Sequence, residues 1–103
     1  FFPTTEWMRV EKVDRVSSLL LLRNRYGNLE VRLAYQVATT NTDTPSSSEH
    51  WGSVLSTNNG FVNGDRMSGS SFANHQWVRF GFQAASTSGV GRGEVTVTVA
   101  TAC

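Results

Sequence analysis

The chain has 103 residues and a formal charge of +1, from nine basic and eight acidic side chains. A domain of that size buries about two-thirds of the surface its unfolded chain exposes, which allows a modest core without staples. The near-neutral balance excludes a long-range field steering the protein to nucleic acid, and the single cysteine, Cys103, excludes an intrachain disulfide scaffold.

Residues 1–103 are read as one domain with a distinct N-terminal arm, residues 1–5. The chain begins Phe1-Phe2-Pro3 without a methionine, and the expectation is a removed leader or a cut from a larger protein, in an extracellular or cell-surface setting. Two phenylalanines have no local partner in so short a segment, and Pro3 holds it extended. Phe1, Phe2 and Pro3 are therefore expected either to insert into a neighbouring subunit as an assembly arm or to pack against their own sandwich.

Trp7 to Val13 follows as a strand with a charge on each face, the character of an edge. Leu19 to Arg25 is apolar on both sides at first, as in a strand between layers. Arg25-Tyr26-Gly27-Asn28 then reads as a tight hairpin, because Gly27 and Asn28 tolerate the positive φ of short β-turns.

Leu29 to Ala38 carries the strongest pattern in the chain. Leu29, Val31, Leu33, Tyr35 and Val37 share one face, and Glu30, Arg32, Ala34, Gln36 and Ala38 the other. A strand alternates its side chains in this way, whereas a helix of period 3.6 would scatter them. The first face is the expected core side and the second the wet side.

Residues 39–49 form a long polar loop, with no large apolar residue and with Pro45 blocking a ladder. His50 to Leu55 is a short strand, Asn58-Asn59-Gly60 a turn, Phe61-Val62 a fragment, and Arg66 to Ser71 flexible. Phe72 to Ala85 is a long strand, secure from Val78 to Ala84, with Val78, Phe80 and Phe82 inward. Ser86 to Gly93 reads as a glycine-rich turn, and Glu94 to Ala102 as a final strand rich in β-branched residues. The expected fold is an all-β antiparallel sandwich of six to eight strands, jelly-roll-like or immunoglobulin-like, with a barrel as second choice.

Chemistry is poorly represented. No G-x-S-x-G, H-E-x-x-H or phosphate loop occurs. Gly89-Val90-Gly91-Arg92-Gly93 leads into a strand and lacks the helix whose N-terminus would hold an anion. His50 and His75 stand at no metal-ligand spacing, so no metal, cofactor or catalytic residue is assigned.

Aromatic and hydrogen-bonding side chains are the better lead. Alternation puts Trp77, Arg79 and Gln83 opposite Val78, Phe80 and Phe82, while Arg32 and Gln36 occupy the wet face of the central strand. With Trp51 these residues are candidate contacts for a ligand or subunit, since an indole ring stacks well and carries an N–H donor. Charged residues are only 17% of the chain, and Ser, Thr and Asn fill the surface. The leading reading is a non-enzymatic structural or assembly subunit whose partners are copies of itself. A carbohydrate-binding or lectin-like module with glycan partners is the alternative, and a small enzyme without a known motif the third. Nucleic acid and a membrane span are not expected, as no apolar run approaches ~18 residues.

Overall fold

A computed structural model describes residues 1–9, 15–39, 47–57, 59–64 and 76–102. The protein is all-β, with antiparallel pairing throughout. Its elements are β1 (Phe2–Pro3), β2 (Met8–Arg9), β3 (Arg15–Ala38), β4 (Ser47–His50), β5 (Phe61–Asn63) and β6 (Trp77–Ala102). The described residues contain no helix, so none is long and apolar enough to cross a membrane.

Two long strands dominate. β3 and β6 pair from Arg15↔Ala102 to Ala38↔Trp77. Outside this ribbon, β4 and β5 lie on the far edge of β3, and β1 and β2 on the far edge of β6. The order β1-β6-β3-β4 is open at both ends and does not close into a barrel.

Length shows that the ribbon folds back on itself. The 24 residues of β3 would span roughly 79 Å at about 3.3 Å per residue if straight. The molecule's longest extent is 40 Å. Val16, near one end of β3, packs with Val37 near the other and with Val78 and Phe80 of β6. Leu20 and Leu22 pack in the same way on Leu29, Val31 and Leu33. The two halves of the ribbon are thus the two layers of a sandwich, with the core between them.

The fold-over lies where a hairpin is expected from sequence. Arg25–Asn28 does not join two paired strands, because the chain continues through it as one strand. The register shifts between Arg23 and Tyr26 and again between Gly27 and Leu29, and such bulges bend a strand and increase its twist. Asn24 at φ 52° and Gly27 at φ 77° supply the left-handed backbone. Of the two residues read as turn formers, Gly27 takes the left-handed backbone and Asn28 does not; Asn24 takes it instead, and both Gly27 and Asn24 lie inside a strand. Residues 86–93 differ likewise: they lie within β6, opposite the bend. Asn24 Nδ2 donates to Glu94 Oε2 at 3.1 Å, Arg25 Nε to the Leu29 carbonyl at 2.7 Å, and the Arg92 guanidinium lies 5.2 Å from the Tyr26 ring centre.

Leu29, Val31, Leu33 and Val37 are buried on the core side as their alternation requires, and Tyr35 is half-buried beside them. The opposite face is drier than expected, for Ala34, Gln36 and Ala38 are buried too. Val95, Val97 and Val99 face the core, with Thr96 and Thr98 exposed.

Other boundaries move. Ser47 to Glu49 belongs to β4, paired with Tyr35 to Val37, rather than to the long loop. His50 ends that strand, and of the rest of the expected 50–55 strand only Leu55 forms a bridge, to Val31. Residues 10–14, 40–46 and 65–75, with His75 and the 66–71 segment, lie outside the described residues, as does Cys103.

Burial first, and Glu49 second, raises the Tyr35 phenol above its ordinary value. The folded state therefore holds this proton more tightly than the unfolded chain. Stability is unaffected well below the unfolded value of ~10 and falls as pH rises from there through the folded value. Tyr35→Phe is expected to remove that alkaline loss, measured by urea denaturation at pH 8 and pH 11.

Candidate functional site

The outer face of the ribbon half built from Leu29–Ala38 and Trp77–Ser86 gathers most of the residues singled out from sequence. Arg32 stands opposite Gln83, Gln36 opposite Arg79, and Ala38 opposite Trp77. One strand's alternation puts each residue outward, and the β3–β6 register joins the two sets into a single band. Arg79 Nε donates to Gln36 Oε1 at 2.8 Å.

Much of that band is covered by the chain's own N-terminal segment. β1 pairs Phe2 with Phe82 and Pro3 with Gly81, and β2 pairs Arg9 with Trp77. The Thr4 and Thr5 amides donate to the Phe80 carbonyl at 2.9 and 3.2 Å, and the Phe80 amide donates to Thr5 Oγ1 at 2.9 Å. The Arg79 guanidinium lies 4.6 Å from the Trp7 ring centre and 5.9 Å from that of Phe1. Arg9 sits 5.3 Å from the Trp77 ring centre. Of the two outcomes expected for the arm, packing on its own sandwich is the one seen, with the segment extending its own sheet. Gly81 permits this approach, since a Cβ there would collide with the Phe2 carbonyl oxygen and the Pro3 Cα. Phe2 stacks on Phe82 with ring centres 5.2 Å apart, yet stays 54% exposed.

Trp51 is elsewhere. It packs against both core clusters and lies 5.3 Å from Phe80 and 5.9 Å from Tyr35, centre to centre. The indole that sequence offered as a contact residue is a core ring between the layers.

The uncovered end of the band opens into a cleft of about 270 Å³, lined by Phe1, Glu30, Arg32, His50 and Gln83 with Val54 beside them. Arg32 Nη1 lies 2.7 Å from His50 Nδ1. Guanidinium nitrogens only donate, so Nδ1 is the acceptor and the imidazole proton resides on Nε2. The cleft combines an aromatic ring, an amide, a carboxylate and a guanidinium. Sequence reasoning identified Arg32 and Gln83 as contacts and Phe1 only as part of an arm; it missed Glu30, on the same face of β3 as Arg32, and His50, which β4 brings there. Among the described residues no three His, Cys, Asp or Glu side chains gather to hold a metal ion.

The second feature is an edge. Gly64 N donates to the Ser18 carbonyl and Leu22 N to the Gly60 carbonyl, at 3.0 and 2.9 Å. The even-numbered residues of this half of β3 therefore direct their backbone groups towards β5, and Leu19 and Leu21 direct theirs towards β6. Their partners Thr98 and Thr96 use their N–H and C=O groups on β3, while Val95, Val97 and Val99 turn theirs away. Among the described residues nothing pairs with that side of β6 from Glu94 to Ala100; β1 and β2 reach it only at Trp77–Val78 and Gly81–Phe82. Near the bend this edge adjoins an apolar groove of about 280 Å³, lined by Phe2, Leu29, Phe82 and Val95 with Arg92 at its rim. No protein-family model, curated protein or solved structure matches this chain.

Proposed function

We propose that this chain is a non-enzymatic structural subunit that self-associates through its sheet edge. The single observation behind this reading is the outer edge of Glu94–Ala100, with which no described residue pairs. Edge strands of monomeric proteins are blunted by lysine, proline, a bulge or a covering loop. The run E-V-T-V-T-V-A has no lysine and no proline, pairs with β3 in unbroken register from Glu94 to Ala100, and among the described residues nothing covers it. An exposed row of amides and carbonyls between β-branched side chains is a template for strand addition.

Light scattering on the purified chain at ~100 µM tests the reading, with a mass above that of one chain as the expected result. Val97→Pro removes one outward-pointing N–H and none of the bonds to β3, a position where an edge strand accepts proline. The variant is expected to run as a monomer with its β-rich circular dichroism retained. A natural chain that is monomeric throughout would overturn the proposal.

A second reading, glycan binding, is favoured by the Arg32–Gln83 cleft, which Phe1 lines together with Glu30, Arg32, His50 and Gln83. Retention on a glycan matrix, lost in Arg32→Ala, would support it.

A further inference from the structure

We infer that the partner on the β6 edge is a second copy of this chain, added antiparallel about a two-fold axis at Val97. The inference rests on the self-association reading and specifies its geometry.

Three observations lead to that register. Val95-Thr96-Val97-Thr98-Val99 reads the same in both directions about Val97. Two antiparallel copies centred there place Val97 opposite Val97, Val95 opposite Val99 and Thr96 opposite Thr98. Outward backbone groups fall on Val95, Val97 and Val99, so the valine pairs are the hydrogen-bonded ones and the threonine pairs the non-hydrogen-bonded ones, as an antiparallel ladder requires.

Charge agrees with this placement. Glu94 is the only charged residue from Glu94 to Ala100, and the two-fold sets it opposite Ala100 rather than another carboxylate, avoiding like charges in direct register.

Burial also points across the edge. Leu20 and Leu22 on β3 are fully buried, whereas the neighbouring inward row Val95, Val97 and Val99 is only half-buried. Among the described residues the core is closed on the β3 side and open along β6. A second β6 would continue the valine row across the axis and cover it. The contact is isologous, so each copy gives and receives the same bonds and the assembly closes as a pair.

Cysteine pairing reads the register directly. Thr96 and Thr98 are exposed, and in this register Thr96 of one copy lies about 4.5 Å, Cα to Cα, from Thr98 of the other. That separation lies within disulfide range. Thr96 of one copy and Thr96 of the other are offset by two residues along the strand, roughly 8 Å apart, beyond that range.

Thr96→Cys and Thr98→Cys are made separately in a Cys103→Ser background, then mixed, oxidised mildly and run on a non-reducing gel. The mixture is expected to give several-fold more covalent dimer than either variant alone. Val97→Pro in both variants should abolish the product. Stronger cross-linking of Thr96→Cys alone, or of Thr98→Cys alone, would move the axis off Val97 and overturn the inference while leaving self-association standing. A dimer in light scattering with no cross-link in any combination would place the interface elsewhere, which overturns the inference as well. A monomer in light scattering would overturn the self-association reading itself.

Discussion

Leu33→Ala is expected to destabilise the protein by roughly 2–5 kcal/mol, the range for deleting a buried leucine side chain from a core that collapses incompletely. Leu33 is fully buried with Leu20, Leu22, Leu29, Val31 and Leu55. A Cβ added at Gly64 would come within 2.7 Å of Leu33 Cδ2 and one at Gly52 within 3.3 Å of Leu33 Cβ, so the backbone already closes tightly over it. Since a small domain is stable by only ~5–15 kcal/mol, thermal unfolding should begin at least ~10 °C lower. A loss below ~0.5 kcal/mol in urea denaturation would show that the space between the layers is not the core.

Gly27→Ala should cost roughly 2–4 kcal/mol for a different reason. At φ 77° an L side chain pays about 1–2 kcal/mol for the left-handed backbone alone. Its Cβ would also land on the Val90 carbonyl oxygen, and 3.1 Å from the carbonyl carbon. That neighbour is main chain of the opposing strand and cannot rotate away, so relief requires opening the bend. Gly93→Ala is the control. Two of the three atoms nearest its added Cβ are side-chain methyls, Leu22 Cδ1 at 3.0 Å and Leu29 Cδ2 at 3.1 Å, which can shift. Denaturation should rank the losses Gly27 well above Gly93; equal losses would mean that the bend is not where the fold is strained.

The two candidate functional features were only partly legible in the sequence. The V-T-V-T-V run is visible in sequence as a strand, and its symmetry about Val97 can be read there as well. That this strand is an edge is not visible, because it depends on which strands lie beside β6. The polar band shows the same division. Alternation put Arg32, Gln36, Arg79, Gln83 and Trp77 on outward faces, but the register Arg32↔Gln83 and Gln36↔Arg79 joined them, and Phe1, Trp7 and Arg9 then covered part of the result. Trp51 had no alternation partner to give its face, and the space between layers near Phe80 and Tyr35 took it.

What the sequence by itself determined is the strand character of the main segments and the inward face of those that alternate clearly. Leu29 to Val37 and Val95 to Val99 are strands with those residues inward because pleating assigns faces within a single strand, residue by residue. What only the tertiary structure decided is which strands pair and how the sheet closes. Gly27 and Asn24 supply the same left-handed backbone in a hairpin turn as in a bulge. The choice between them is made by β6, whose continuous pairing along both halves of β3 satisfies more backbone groups than a local hairpin would, and by the leucine and valine rows that meet when the ribbon folds over. Those gains are summed over residues far apart in the chain, and no local pattern carries them.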